Sequence, residues 1–453
     1  MLGDLPQGNG DASLVLFGRD VTPNLHALAE RFVLLDNFYD CGEVSGDGWP
    51  WSTQGMANEY VIKDLPYNYS GRGRNYDFEG QDNGYPAGGF PSKGPDGNQL
   101  SDVFPAGLPA IPDVAEAGGG HIWDAVRKAG LSYRNYGFYM NFGVTQTTGS
   151  KSVVVIPDNY PASAGLQPGG HDLDGISDID YRHYDNTYAD SDGPSNYGVP
   201  ETLKTYGKYN MPSRFSEWNR EFQEMLKKDP TGGAVPALIT VRFNHDHTQG
   251  MSPGAFSPRA EVADNDYACG QLVEALSNSP IWDSTAVFII EDDSQDGPDH
   301  VDVHRSTCYV ISPWIKAHSV DHTFYNTDSV LKTIELILGI GPLTSYDAIA
   351  TPILGWDEKP ANDAPFKSSP AAKSIMTEIV PTVAMLKPGD RRIELMKLSQ
   401  KLDFVHPDSA PAQVVNEIIW KSVKGPDAKL PALHRGLQVS AASTNARQKD
   451  LDD

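Results

Sequence analysis

Apolar positions along this chain fall into short compact runs that alternate with stretches of helical spacing. Thr22-Pro23 offers an N-cap and a proline at the first helical position, and Leu25, Leu28 and Ala29 come next at helical intervals, which predicts a short helix to Arg31. Phe32 to Asp36 is an apolar run that ends in a carboxylate, the pattern of a buried strand. Trp51 to Ile62 is compatible with a helix. Helical spacing returns at His121 to Ala129, near Arg214 to Lys227 and near Pro258 to Leu276; strands are expected at Leu131 to Tyr136, Ala237 to Phe243 and Ala286 to Ile290. A last strand near Cys308 to Ile311 and a helix over Thr327 to Leu338, entered by Asn326, complete the alternation. It predicts an α/β fold, a mostly parallel central sheet with helices on both faces.

Two tracts interrupt the pattern, at about 65–119 and 143–212, where Gly, Pro, Asn and Tyr crowd together. They are too aromatic for ordinary disorder and too broken for regular elements, so they read as ordered functional loops. Beyond Pro352 the chain turns polar, with three weak helical stretches, the last near Gln413 to Val423; residues 353–435 read as a helical extension and 436–453 as a solvated tail. There is no internal repeat. The charge balance, 36 Lys and Arg against 60 Asp and Glu for a net −24, argues against nucleic acid, whose phosphates call for clustered cations. No apolar run approaches the ~18 residues of a membrane span, and the opening Met1-Leu-Gly-Asp-Leu lacks the layout of a signal peptide. Cys41, Cys269 and Cys308 are too scattered for a disulfide framework or a four-cysteine zinc site, and separate thiols are expected.

In open α/β sheets ligands gather at the carboxyl ends of strands, so the residues just after each apolar run are informative. The first run delivers Asp36, Asn37 and then Gly42-Glu-Val-Ser-Gly-Asp-Gly48; the second delivers Asn244-His-Asp-His-Thr-Gln-Gly250; the third delivers Glu291 to His304. The third places six carboxylates within twelve residues after a strand too apolar for the surface. Like charges so close call for a cation: Asp292 and Asp293 can turn both side chains onto one ion, with His300 and His304 as nitrogen ligands or proton donors. A solvated acidic loop is the bland alternative. A helix-loop-helix calcium loop is not, because Val303 stands where its final glutamate belongs and a strand precedes it. His245, Asp246 and His247 would separately pass as structural residues; beside the acidic loop they read as a metal or phosphate site. Ser45, between glycines and just ahead of a helix, is a hydroxyl that a bound cation can deprotonate, with helix N–H groups for an anion.

These stretches resemble the phosphoesterases that include bacterial phospholipase C and acid phosphatase, within the alkaline phosphatase superfamily. The likeness runs from Asp20-Val-Thr-Pro-Asn24 through Phe32 to Phe38, Gly42 to Thr53, Asn244 to Gly250 and Ile290 to Arg305, and continues to the helix ending at Leu338, so residues 1–352 are identified as one such domain. The resemblance implies that Ser45 is the nucleophile, with Ser52 and Thr53 as fallbacks, and that Asp292 and Asp293 are the paired metal carboxylates. It places Asp299 and His300 on a downstream Asp-His, and His247 as a phosphate contact or acid; Asn244, Asp246, Asp299 and His300 become supporting or second-site residues. Trp49 stands where many relatives carry histidine. Phe243 replaces the carboxylate expected four residues before His247, so one divalent metal is favoured over two; calcium, magnesium, manganese, zinc and iron all remain open. Relatives also carry a first strand ending in Glu-Asn that holds the metal, and this chain is expected to start just after it.

The resulting expectation is metal-dependent hydrolysis of a phosphate ester through a phosphoserine on Ser45, with His247 or His304 protonating the leaving alcohol. The substrate class is a small phosphate ester or a phospholipid headgroup, chosen by a loop that carries Arg72 and Arg74. The resemblance also implies a periplasmic or secreted location. A sulfatase is excluded because Cys41 is followed by Gly-Glu-Val-Ser rather than x-Pro-x-Arg. The rival from another class is a non-catalytic homologue that binds a phosphorylated or anionic ligand.

Overall fold

The computed structural model describes residues 1–59, 61–63, 119–139, 144–148, 151–155, 173, 175–178, 180–182, 185–194, 211–294, 299–404 and 410–431. The strands in chain order are β1 (Val33–Leu35), β2 (Phe38–Tyr39), β3 (Tyr133–Tyr136), β4 (Val144–Thr148), β5 (Lys151–Val155), β6 (Leu238–Val241), β7 (Val287–Ile290), β8 (Cys308–Ile311), β9 (Ser319–Asp321) and β10 (Tyr325–Asn326). The helices are α1 (Pro23–Arg31), α2 (Ser45–Gln54), α3 (Ile122–Lys128), α4 (Arg214–Lys228), α5 (Pro258–Ser277), α6 (Thr327–Leu338), α7 (Ser345–Ile349), α8 (Lys373–Met376), α9 (Arg392–Ser399) and α10 (Ala412–Lys424). The α/β class is the one expected. Its strands are distributed over small sheets rather than one large one: a four-stranded sheet in the order β7-β8-β1-β9 and the pairs β2-β10, β3-β6 and β4-β5. Parallel pairing joins β1 to β9, β2 to β10 and β3 to β6, while β8 runs antiparallel to both β1 and β7.

Strand β1 sits inside the four-stranded sheet, with Leu34 opposite both Tyr309 and Val320, and all three of its residues are buried. That is why Phe32 to Leu35 reads as an unbroken apolar run. The main core packs Leu28, Phe32, Leu34, Val310 and Ile311 against Trp218 and Phe222 of α4 and Leu272 and Val273 of α5. By contrast β6 and β7 are only half-buried along their lengths, and among the described residues each is paired on one edge.

Local chemistry sets the ends of the helices. Thr22 precedes α1 as expected but does not cap it; its hydroxyl turns back to the carbonyls of Phe17 and Gly18. The first N–H groups of α1 are satisfied from outside, by Asp266 of α5, which accepts from Asn24 N at 3.1 Å and Leu25 N at 2.7 Å. The close approach needs Gly270, since a Cβ there would stand 2.5 Å from Asn24 Oδ1. The helical extension packs back on the domain: Met251, just past β6, shares a small core with Val380, Leu395, Met396 and Ile418. Cys41, Cys269 and Cys308 are unbridged, as expected. No helix among the described residues is long and apolar enough to cross a membrane.

Candidate active site

The expected helix at Trp51 begins six residues earlier, and Ser45 is its first residue. Gly46, Gly48 and Pro50 hide this helix from propensity reasoning, because two glycines and an internal proline argue against it. Packing decides instead. After β2 the chain crosses the carboxyl end of β7, where Gly42 bridges to Asp293 and Cys41 N donates to Thr327 Oγ1 at 3.1 Å. A Cβ on Gly48 would lie 2.3 Å from the Asp292 carbonyl oxygen, and one on Gly42 would lie 2.5 Å from Gly48 Cα. The glycines therefore let α2 rest its first turn directly on the Asp292–Asp293 backbone. Asp47 closes the turn by accepting from Glu43 N and Val44 N at 3.0–3.2 Å.

This contact brings together the residues that the sequence paired across the chain. The Ser45 hydroxyl donates to Asp293 Oδ2 at 2.8 Å, and both side chains are buried. The fallback hydroxyls do not reach this point: Ser52 and Thr53 donate back to the Trp49 carbonyl at 3.0 and 2.8 Å. Trp49 itself is core, edge-on to Phe138 at 4.6 Å with the Arg242 guanidinium 4.8 Å from its ring centroid.

Around Asp293 the carboxylates converge. Asp40, 4% exposed, has no hydrogen-bond partner on either oxygen; burial first, then the charge of Asp292, pushes it well above the carboxylate range. Half-buried Glu291 is also driven far up, by desolvation and then by Asp246, Asp40 and Asp292 in that order. Asp246 is raised by the protein around it and lowered by the neighbouring His247. Asp40 and Glu291 were not singled out from the sequence. A carboxylate just after a two-residue strand, and the first acidic residue after β7, were the available signals.

His304 lies at the rim, with Nε2 3.3 Å from Glu43 Oε1 and Nδ1 2.8 Å from Asp302 Oδ1. The bond to Glu43 is the main reason its pKa rises to about 9, so it is an imidazolium at neutral pH. Its backbone carbonyl accepts from Asp40 N at 2.9 Å, which fixes it beside the nucleophile loop. His247 reaches the cluster through Asp246. Asp299 instead organises its own turn, accepting from Val301 N at 2.6 Å and Asp302 N at 3.1 Å, with His300 beside it at 3.8 Å on the exposed side. Arg72 and Arg74 lie outside the described residues.

Asn244 and His245 point elsewhere. Asn244 donates to Asn186, and the backbone N–H groups of both residues donate to Asp190 at 2.8–3.1 Å. Asp190 also takes Arg214 at 2.8 Å, and His245 Nδ1 meets Asp264 at 2.7 Å. Asp190, His245 and Asp264 bring ligand atoms within 4.8 Å of one another. Their donors and the Arg214 charge already compensate them, which makes this trio a buried ionic clasp. Asp36 is likewise structural, held to His322 at 2.8 Å and Asn9 N at 3.1 Å.

Comparison with curated proteins gives no match. A family model does match, and it spans Asn244 to Gly250 and the acidic loop but not Ser45, which joins that segment through its hydrogen bond to Asp293. Residues 176–341 of the chain match the model described as Phosphoesterase family, the family that the sequence motifs resemble.

Proposed function

We propose that the chain hydrolyses phosphate esters through a covalent phosphoserine on Ser45. The observation that carries this reading is the 2.8 Å bond from Ser45 Oγ to Asp293, at the first residue of a helix and against a knot of buried carboxylates. The Phosphoesterase match supports ester hydrolysis as the reaction class. Asp40, buried without a hydrogen-bond partner beside Asp292, is the sign that a cation belongs here, because excess buried negative charge stands only when compensated. Asp292, Asp293 and Asp40 would hold a divalent ion, with Ser45 alongside; the all-oxygen set suits calcium, magnesium or manganese. Such an ion supplies Lewis-acid polarisation of phosphoryl oxygens and a lower pKa at the serine.

The side chains then divide the work. Asp293 accepts the Ser45 proton as Oγ forms its bond to phosphorus, and the ester P–O bond breaks on the opposite side. Imidazolium His304 donates the proton that the leaving alcohol requires. Water then attacks the phosphoserine and returns Ser45. N–H groups of the first α2 turn face the same side as Oγ and suit phosphoryl oxygens. A small phosphate ester or a phospholipid headgroup is the proposed substrate, and the periplasm or the exterior the proposed location.

A second reading is a homologue that binds a phosphorylated ligand without turning it over. Trp49 favours it, since a packed indole occupies the position where a histidine would offer a proton path. Assay of the full chain with p-nitrophenyl phosphate and its diester, after chelation and with each divalent metal, separates the two. Metal-dependent release of nitrophenol supports the enzyme, and phosphate-ester binding without release overturns it.

A further inference from the structure

Asp178, Asp180 and Glu217 each bring one carboxylate oxygen to within 4.8 Å of the others, away from the Ser45 site. Asp178 and Asp180 come just after the bridge between Asn135 of β3 and Ser177, and Glu217 lies in the first turn of α4. Two of the three are enclosed, with Asp178 3% and Glu217 2% exposed. Asp178 Oδ1 accepts from Asp180 N at 2.9 Å, whereas Asp178 Oδ2 is buried with no hydrogen-bond partner. Burial, then the Glu217 charge, pushes Asp178 up to about 8. The cation nearest to hand is Arg220, whose Nε lies 3.0 and 3.2 Å from the two Glu217 oxygens. Its single charge leaves the three carboxylates two negative charges in excess. Arg134 does not fill the deficit, because Glu221 holds it at 2.7 and 2.9 Å.

We propose that Asp178, Asp180 and Glu217 form a structural calcium site that ties the turn after β3 to the start of α4. Oxygen-only donors select a hard cation. Calcium–oxygen bonds of 2.3–2.6 Å set donors across the ion about 4.6–5.2 Å apart, against about 4.2 Å for magnesium, so the trio suits calcium as it stands. The ion supplies the two positive charges that Arg220 lacks and a partner for Asp178 Oδ2. Its mechanical consequence reaches the candidate active site. One turn back along α4, Arg214 holds Asp190, which in turn holds the N–H groups of Asn244 and His245. Calcium would fix this wall.

The test strips the full chain with EDTA and measures binding of calcium alone by equilibrium dialysis, together with the melting temperature. Native protein is expected to melt higher with calcium than with equal magnesium. Asp178→Asn and Asp180→Asn are each expected to bind one calcium fewer per chain, or to bind it at least tenfold more weakly, and to lose the melting increment. Asp293→Asn, in the Ser45 site, is expected to keep that ion. Asp180 is only half-buried, so its variant remains informative if Asp178→Asn does not fold. Unchanged stoichiometry and increment in the folded variants, or equal responses to magnesium and calcium, overturns the proposal.

Discussion

At the scale of single residues, the candidate site depends on groups that are costly to bury and have little other reason to be there. Asp40 has no hydrogen-bond partner on either carboxylate oxygen, and the charge of Asp292 bears on it. Asp40→Asn is therefore expected to leave the melting temperature unchanged or raised while weakening metal activation at least tenfold, read from a metal titration of activity; a strong loss of stability with normal activation would assign it to the scaffold. His304 makes an opposite kind of prediction. Its acid form is held by Glu43 and Asp302 to about pH 9, so activity should fall as pH rises through that value. His304→Gln should remove this limb from the pH–rate profile and lower kcat by about 10²–10⁴-fold. Ser45, Asp292, Asp293 and His304 were legible in the sequence because reactive residue types came directly after apolar runs. Asp40 was not, because one aspartate after a two-residue strand carries no pattern until the fold sets Asp292 near it.

Among the elements, α2 shows where sequence reasoning stops. The helices α5 and α6 were readable because their caps and apolar spacing agree with the fold. The start of α2 was not, since Gly46, Gly48 and Pro50 have low helix propensity and the gain from them is a tertiary contact. Gly48→Ala tests that contact. Its Cβ meets the Asp292 carbonyl oxygen at 2.3 Å, so backbone must move. The expected cost is about 1–3 kcal/mol or more in urea unfolding, with a larger loss of activity because Ser45 moves off Asp293. Gly341→Ala, which meets nothing within 4 Å, should change neither. A Gly48→Ala variant with native stability and rate would show that the close approach does not matter. Sheet pairing was equally hidden: β2, β9 and β10 are two or three residues long, too short for any periodicity to mark them.

For the whole molecule, the Asp190–Arg214–His245–Asp264 clasp joins the second strand-end loop to α4 and α5 through side chains fully withdrawn from solvent. Arg214→Met leaves Asp190 without its cation and should cost about 3–5 kcal/mol in denaturant unfolding. The clasp also predicts a pH dependence. His245 has its pKa raised from 6.5 to about 9; burial opposes the rise, and the charge of Asp190 and the bond to Asp264 outweigh it. A raised imidazole stabilises fully below about pH 6.5 and loses its contribution as pH climbs through about 9. Unfolding free energy should therefore fall over that window, and His245→Gln should flatten the fall. The acidic composition that argued against nucleic acid becomes, in three dimensions, inward-facing carboxylates whose compensation by cations is the general theme of the fold. The central claim is that Ser45 takes the phosphoryl group, and the rate of p-nitrophenyl phosphate hydrolysis by Ser45→Ala beside the native chain, both metal-loaded and folded, tests it most directly. A fall of about 10³-fold or more is predicted; an unchanged rate would contradict it.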